Sequence, residues 1–258
     1  MWDWFYDMPT IWSFFLFVII VTTVALVGLY IFKSLNISVI NCEDNNSIIG
    51  IFIGIISIFL GVMLTLIIVG VWNDYDRARS DANREATNIF ILYQTISKLP
   101  DTEDIQDIII EYLEYIINVE YPALRHKEVP HEGTIFIEEL QDTIYGYIPE
   151  GEQQIVLYAE SIQTLNRIIH YRIDRLDSAT VGINDLIWWV TMVDSILLLI
   201  MSWFLTCSTI SHYILTTIVA IYVASAIYIT LIMSFPFRGY AGLRSQPFQI
   251  ALDDILSE

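Results

Sequence analysis

Four long apolar segments dominate the hydrophobic pattern of this chain. They cover residues 11–32, 48–72, 186–206 and 213–235, and the only charged residue within them is Asp194. An α-helix needs about 20 apolar residues to cross the ~30 Å hydrocarbon core of a bilayer, and each segment reaches that length. The sequence therefore predicts four transmembrane helices. We expect the first to be retained rather than cleaved as a signal peptide, because no basic residue precedes it and no small-residue cleavage site follows.

The polar segment between the second and third spans has its apolar positions at helical rather than strand spacing. The second span is expected to continue as a helix until Pro100 stops it, and a second helix should run from after Asp101 to near Pro122. Two further helices are predicted over residues 134–145 and 150–178. The expected fold class is therefore an all-α membrane protein with four transmembrane helices and a helical cytoplasmic domain inserted between helices 2 and 3.

This pattern divides the chain into four regions. Residues 1–72 form an N-terminal interfacial segment with transmembrane helices 1 and 2, and residues 73–185 form the acidic helical domain. Residues 186–235 form transmembrane helices 3 and 4, and residues 236–258 form the tail.

The helix predicted over residues 150–178 has apolar residues at nearly heptad spacing, which is typical of a helix that packs along another helix. Its expected partner is the continuation of the second span, within the same chain or across a subunit boundary. The seam residues are Ile155, Tyr158, Ile162, Leu165, Ile169, Ile173 and Leu176.

Composition agrees with a membrane protein. The chain is 55% hydrophobic and 16% charged, with a mean hydropathy of +0.56, which is too apolar for an ordinary soluble domain. Its formal net charge of −18 argues against nucleic acid as a partner, because little basic surface would neutralise a phosphate backbone.

The distribution of Lys and Arg predicts the orientation. With four spans, 11 basic residues fall on the side that holds both termini and residues 73–185, and Lys33 alone falls on the other side. Basic residues favour the cytoplasmic side of a membrane. We therefore expect a multi-pass protein of the cytoplasmic (inner) membrane with both termini and residues 73–185 in the cytoplasm. Arg172 and Arg175, shortly before span three, are part of this count.

Cys42 and Cys207 are predicted to lie in the two loops on the outer side of the membrane. A disulfide between them is one interpretation, if that compartment is oxidising, and two inert thiols are the other. The sequence contains no nucleotide-binding loop, zinc pair or nucleophile elbow, so we expect no enzyme activity, no metal and no cofactor.

Span two carries a stripe of small side chains at spacings of three and four residues. Such a stripe usually allows close packing of helices, and the alternative is that it lines a pore. The stripe residues are Gly50, Gly54, Ser57, Gly61 and Thr65.

Asp194 lies within span three, where an ionised carboxylate costs several kcal/mol unless it is partnered. It is therefore a candidate for ion passage or gating. The alternative is that Thr191, Ser195 or interfacial water satisfies it locally.

The segment that follows span two is rich in charges at helical spacing. Its residues are expected to stabilise the helix weakly and to contact lipid headgroups, or to gather ions at a channel mouth. They are Asp74, Asp76, Arg77, Arg79, Asp81 and Arg84.

Two motifs give the chain a family resemblance. The end of span two, with Gly70, Trp72 and residues 75–79, resembles the bacterial membrane family described as bestrophin-like. The tail also resembles that family. The matching tail residues are Pro236, Phe237, Arg238, Gly239, Pro247 and Phe248.

The resemblance implies a four-span plan with a helical domain in the middle. True bestrophins are pentameric anion channels whose second span lines the pore, so the resemblance implies a homo-oligomer that conducts inorganic ions, chloride above all. Two features depart from bestrophins. The tail offers only Asp253, Asp254 and Glu258 in place of an acidic calcium clasp, and the negative middle domain would favour cations.

Two hypotheses follow. The first is a homo-oligomeric membrane ion channel with span two nearest the axis. The second is a non-conducting membrane scaffold or signalling protein whose acidic domain docks a soluble partner.

Overall fold

The computed structural model describes residues 3–35, 45–180, 182–205 and 208–257, which contain helices and connecting turns but no β-strand. The all-α class predicted from the sequence is confirmed. The α-helices are α1 (Asp3–Asp7), α2 (Thr10–Ser34), α3 (Asn45–Ile96), α4 (Glu103–Tyr115), α5 (Tyr121–Leu124), α6 (Glu132–Gly146), α7 (Glu152–Thr180), α8 (Asp185–Trp203), α9 (Thr209–Met233) and α10 (Gln246–Ser257). A π-helix, Ile116–Glu120, joins α4 to α5.

Four helical stretches of the described chain are long and apolar enough to cross a membrane, and each overlaps one of the four predicted segments. The helix that contains the second span is 52 residues long, which corresponds to about 78 Å of continuous helix. It ends at Ile96, four residues before Pro100, which was expected to stop it. Thr102 closes the following turn, because its hydroxyl donates hydrogen bonds to the carbonyl oxygens of Ile96 and Leu99 at 2.9 and 3.0 Å.

The chain divides into two compact units. The membrane unit comprises Met1–Asn73 and Ile183–Ser234, and the polar unit comprises Asp74–Gly182 and Phe235–Glu258. Helix α3 contributes residues to both, because the division falls between Asn73 and Asp74.

The interior of the membrane unit is unusually rich in small and polar side chains. On α9, the buried residues include His212, Thr216, Ala220 and Ala224, whereas large apolar side chains such as Ile218 are exposed. Small residues allow helices to approach closely within a bilayer, where apolar side chains face lipid. The same feature brings α2 against α8, because a Cβ atom on Gly28 would overlap the ring of Trp203.

Hydrogen bonds lock α2 to α9 near the start of α2. The hydroxyl groups of Ser13 and Tyr228 lie 2.7 Å apart, and the Tyr228 hydroxyl also donates to the carbonyl oxygen of Thr10 at 2.8 Å. Phe5 and Phe14 pack their rings on Tyr228, at centroid distances of 6.3 and 5.2 Å. The aromatic residues at the start of the chain therefore have a packing role.

The polar unit has one apolar core, which combines residues of α3, α4, α6, α7 and α10. Ile89 and Leu92 on α3, Ile109 on α4 and Leu165 on α7 are buried within it. The helical hairpin between α3 and α7 that the sequence predicted is therefore formed within one chain.

The seam that the sequence predicted on α7 is confirmed in part. Leu165 is buried in the core, and Tyr158, Ile162, Ile169 and Leu176 pack against it. Ile155 and Ile173, which were also assigned to the seam, are each 52% exposed. The physical reason is that two arginines occupy the buried face, where ion pairs compensate their charge. The apolar residues alone therefore do not identify the whole of that face. The buried residues of α7 are Ser161, Thr164, Leu165, Ile168, Arg172, Arg175 and Ala179.

Two other local features differ from the sequence-based expectation. The helix expected to end near Pro122 instead widens into the π-helix and continues as α5, with Pro122 in the first turn of α5. The tail, treated only as a motif, contains α10, whose buried residues Phe248, Ala251 and Ile255 lie at spacings of three and four.

Candidate functional site

The three glycines of the small-residue stripe on α3 have no packing neighbour in the described part of the chain. A Cβ atom added at Gly50, Gly54 or Gly61 would have no neighbouring atom within 4 Å. The buried positions of this part of α3, which include Leu60 and Leu64, lie roughly a quarter turn around the helix from the stripe. Packing of the stripe against another helix of the same chain is therefore not observed among the described residues.

Two hydroxyl residues of the stripe differ in surroundings. Thr65 is exposed, and its hydroxyl donates to the carbonyl oxygen of Gly61 at 2.7 Å. Ser57 lies at the edge of the stripe and lines a cavity of about 340 Å³ together with residues of α8 and α9, among them Ser202 and Thr216. The cavity is otherwise lined by apolar side chains.

Asp194 lies in the middle of α8 and has a buried oxygen, Oδ2, without a hydrogen-bond partner in the described part of the chain. The hydroxyl groups that were proposed to satisfy it point elsewhere. Thr191 donates to Ile187 at 2.8 Å, and Ser195 donates to Thr191 at 2.7 Å. Neither hydroxyl group satisfies this oxygen, so interfacial water and a role in ion passage or gating stay the two interpretations of Asp194.

A buried charge cluster, defined as Glu85, Glu120, Arg172 and Arg175, lies at the centre of the polar unit. Arg175 Nε and Nη2 donate to the two carboxylate oxygens of Glu85 at 2.5 and 3.0 Å, and Nη2 also donates to Glu120 at 2.6 Å. Arg172 donates to the other oxygen of Glu120 at 2.8 Å. The cluster joins α3, the π-helix and α7 and carries no net formal charge.

Aromatic residues complete the surroundings of this cluster. Tyr112 donates a hydrogen bond from its hydroxyl to Glu85 at 3.1 Å. The Arg175 guanidinium lies over the rings of Tyr121 and Phe248, at 5.5 and 5.3 Å from their centroids. Cation–π attraction strengthens when the cation is removed from water, as it is here. The tail helix is thus tied to the same cluster through Phe248.

The charges in the cluster determine its ionisation. Burial by itself raises the pKa of Glu120, but the attraction and hydrogen bonds of Arg175 and Arg172 outweigh burial and lower that pKa below its usual value. Burial raises the pKa of Glu85, and Arg175 opposes this only in part. Burial disfavours charged Arg175, yet both glutamates together raise its pKa well above the ordinary value. Both arginines are therefore held in their charged form.

Gly133, near the start of α6, allows the cluster to form. A Cβ atom there would overlap Arg172 Nη2 and would lie 2.7 Å from Glu120 Oε2 and 2.9 Å from the ring of Tyr115. A larger residue at this position would displace the ion pair.

The charged segment after span two is spread around α3 rather than gathered in one place. Arg77 and Asp74 form an exposed pair at 3.9 Å, which contributes little to stability. Arg84 lies over the ring of Tyr171 on α7, at 5.7 Å. Asp81 is partly buried, and burial followed by the nearby charge of Asp174 raises its pKa. Asp76 is exposed.

The tail motif forms a tight turn and two aromatic anchors. Gly239 has a φ of +68°, which favours glycine, and a Cβ atom on Gly242 would lie 2.5 Å from the carbonyl oxygen of Phe237. Phe237 and Phe248 both pack on the ring of Tyr121, at centroid distances of 5.7 and 5.6 Å.

Three further residues of the motif have distinct places. Pro236 accepts a hydrogen bond from Leu243 N–H at 2.7 Å, and Arg238 lies over the ring of Phe235 at 6.0 Å. Pro247 is in the first turn of α10. Cys42 and Cys207, predicted as a possible disulfide, lie outside the described residues.

Sequence reasoning missed the charge cluster, although a signal was present. Glu85 falls on the same face of α3 as Ala78, Ala82 and Ile89, which the spacing of apolar residues marks as buried. A charged residue on a buried face predicts an oppositely charged partner, because an unpaired buried charge is very costly.

The described part of the chain is helical and has four candidate membrane spans, the second of which continues into a separate polar unit. These features place the chain in the class of multi-pass membrane proteins. The sequence profile of the bestrophin-like domain matches residues 15–248. The chain therefore belongs to the bestrophin-like family, as the two motifs predicted.

Solved structures agree with this assignment. A variant of a bacterial bestrophin homolog from Klebsiella pneumoniae has a TM-score of 0.66 at 14% identity, covering 97% of this chain and 98% of that one. A second variant of a homolog from the same organism has a TM-score of 0.68 at 12% identity, covering 94% and 97% of the two chains. At these identities the similarity supports the fold. A search of curated proteins gave no match.

Proposed function

We propose that this protein is a homo-oligomeric ion channel of the cytoplasmic membrane, with α3 nearest the pore axis. The observation that carries the proposal is the small-residue stripe, whose three glycines have nothing near their Cβ positions in this chain. Membership of the bestrophin-like family supports a membrane channel in general. Four spans in one chain hardly enclose a pore, so several copies are required.

Anions are the proposed cargo, by resemblance to bestrophins. Residues 73–185 have 22 acidic and 9 basic side chains, and the buried cluster removes equal numbers of each from the surface. The exposed surface therefore keeps the whole negative charge of this segment, which raises the local concentration of cations. A flux measurement must compare chloride with potassium for this reason.

The first test is the mass of the purified protein in detergent, because a monomer would contradict the channel directly. The second test is ion flux into liposomes under an imposed gradient of chloride or potassium. Protein that forms a ring and passes neither ion would favour the scaffold, whose acidic surface would then dock a soluble partner.

A matched pair of substitutions tests the role of the stripe. Gly61→Leu should reduce flux at least tenfold while the oligomer keeps its mass, because the larger side chain would project into the pore. Gly70→Leu is the control, since Gly70 also has no atom within 4 Å of its Cβ position but lies on the opposite face of α3. Loss of the oligomer in Gly61→Leu would instead indicate that the stripe packs between subunits.

A further inference from the structure

A cavity of about 410 Å³ in the polar unit lies between the start of the polar part of α3 and the tail. Its volume is in the range of small-molecule sites and is far larger than a single halide ion requires. Half of the residues that line it are polar or basic. They include Tyr75, Arg79, Asn83, Tyr240, Arg244 and Gln246.

The charge of this cavity is opposite to that of the chain. Arg79 and Arg244 are two of only 12 basic residues, against 30 acidic ones. They line the same cavity, and none of its lining residues is acidic. Neither arginine forms an ion pair within the described ranges. The cavity therefore gathers positive charge on a chain that is otherwise strongly acidic, which favours an anion as its ligand.

The walls of the cavity are held in place by the tail motif. The hydroxyl of Tyr75 donates to the carbonyl oxygen of Ala241 at 3.3 Å, which fastens the turn of the tail to α3. Leu243 N–H donates to Pro236 at 2.7 Å, and Gly239 and Gly242 permit the tight turn between them. The cavity is therefore formed by a constrained turn rather than by an open loop.

The start of α10 adds to the positive potential. Gln246 and Pro247, the first two residues of this 12-residue helix, line the cavity, and its first turn contains no acidic residue. The N-terminus of a helix carries a partial positive charge and favours anions. Asp254, further along α10, lines a separate cavity of about 220 Å³ and is not among the residues that line the larger cavity.

We propose that this cavity, called here the Arg79/Arg244 pocket, binds a phosphate group. Guanidinium groups match the oxygens of phosphate in geometry and charge, and the side chains of Asn83, Tyr240 and Gln246 carry further donor groups. Tyr75 and Arg79 follow Trp72, the last predicted membrane residue, by about 5 and 10 Å of helix rise. A phospholipid headgroup and a soluble phosphate are the two sources of this chemistry.

The test uses the full-length protein in detergent and two probes, phosphatidylglycerol in mixed micelles and inorganic phosphate. Native mass spectrometry counts the retained lipid, and ³¹P nuclear magnetic resonance follows the free phosphate. The substitution is Arg79→Gln with Arg244→Gln. The control is Arg125→Gln with Arg167→Gln, which removes the same charge from two exposed arginines outside the pocket.

Binding is expected to be at least tenfold weaker in the pocket variant than in wild-type protein. The control variant should bind as tightly as wild-type protein. Loss of lipid binding alone identifies a headgroup as the ligand, and loss of phosphate binding as well identifies a soluble phosphate. Equal binding by wild-type and pocket variant, or equal losses in both variants, would overturn the proposal. If the double variant does not fold, Arg244→Glu is measured instead, because Arg244 is exposed and forms no ion pair with any residue that the structure describes.

The channel proposal is tested separately, because binding is measured without ion flux. A wild-type protein that binds neither probe, combined with a pocket variant whose oligomer falls apart, would overturn the phosphate site. In that case a carboxylate of a neighbouring copy would occupy the pocket.

Discussion

Gly133 occupies a position where any side chain would compete with the buried charge cluster. The atoms around its Cβ position belong to Arg172, Glu120 and Tyr115, all of which are held by neighbours in the core. These side chains can therefore move little to make room for a Cβ atom.

We expect Gly133→Ala to lower the free energy of unfolding by about 1–3 kcal/mol, the usual cost of overpacking a core. The measurement is thermal unfolding in detergent followed by circular dichroism. Gly146→Ala is the control, because Gly146 is on the same helix and has no atom within 4 Å of its Cβ position. Equal melting temperatures for the two variants would contradict the described geometry.

Glu120 makes the stability of the polar unit depend on pH. Its pKa is lowered in the folded state because Arg175 and Arg172 outweigh the effect of burial. Its ionised form therefore stabilises the fold above the ordinary glutamate pKa of about 4.3, and this contribution is lost as the pH falls through the lower folded value. Burial raises the pKa of Glu85, so its contribution to stability has the opposite pH dependence and is lost as the pH rises through the folded value.

Glu120→Gln should melt at a lower temperature at neutral pH and should lose part of the destabilisation that wild-type protein shows below about pH 4. Melting temperatures between pH 3 and pH 7 would measure both effects. Exposed Glu139→Gln serves as the control and should keep the wild-type slope. A Glu120→Gln variant with the full acid dependence would show that another carboxylate causes it.

At the scale of the element, α7 shows where sequence reasoning succeeded and where it did not. Its existence, length and pairing with α3 follow from helical periodicity, and the structure agrees to within two residues at each end. Apolar spacing did not reveal the whole buried face, because Arg172 and Arg175 occupy buried positions on it. Both were interpreted as charges near the membrane.

The rotation of α7 predicts a contrast between two isoleucines. Ile168 is fully buried and Ile173 is 52% exposed. Ile168→Gln should lower the free energy of unfolding by several kcal/mol because it places an unpaired amide in the core, whereas Ile173→Gln should change it by less than about 0.5 kcal/mol. Circular dichroism melts of the two variants would measure this. The reverse order would contradict the burial of Ile168 and the exposure of Ile173.

The stripe on α3 and the tail give a second comparison at this scale. The spacing of the glycines places them on one face, because helical geometry fixes this locally, and whether that face packs or lines a pore stays a prediction. The Arg79/Arg244 pocket was not predicted, since Tyr75 and Ala241 are 166 residues apart in sequence and only folding brings them together. Helix α10 was missed although its apolar residues have helical spacing, because the tail was interpreted only as a motif.

At the scale of the whole molecule, the tail completes the polar unit. Phe248 is fully buried and contacts both Tyr121 and the guanidinium of Arg175. A segment at the end of the chain thereby becomes part of the same core as α3, α4 and α7.

Phe248→Ala should destabilise the polar unit by about 3–5 kcal/mol, the usual cost of removing a buried aromatic ring. Leu256→Ala, on the same helix but 64% exposed, is the control and should have little effect. Limited proteolysis of the detergent-solubilised protein would detect the change as faster cleavage in residues 74–180. Equal protection of both variants would contradict a structural role for the tail.

The π-helix before Glu120 has a consequence for comparing this chain with its relatives. A π-turn holds one residue more than an α-helical turn of the same rise, and it shifts everything after it by about 100° around the axis. A relative with an unbroken α-helix here needs a one-residue gap between positions 116 and 120 when the two sequences are aligned. Without that gap, the alignment would match Glu120 to a neighbouring surface position and hide the counterpart of its carboxylate.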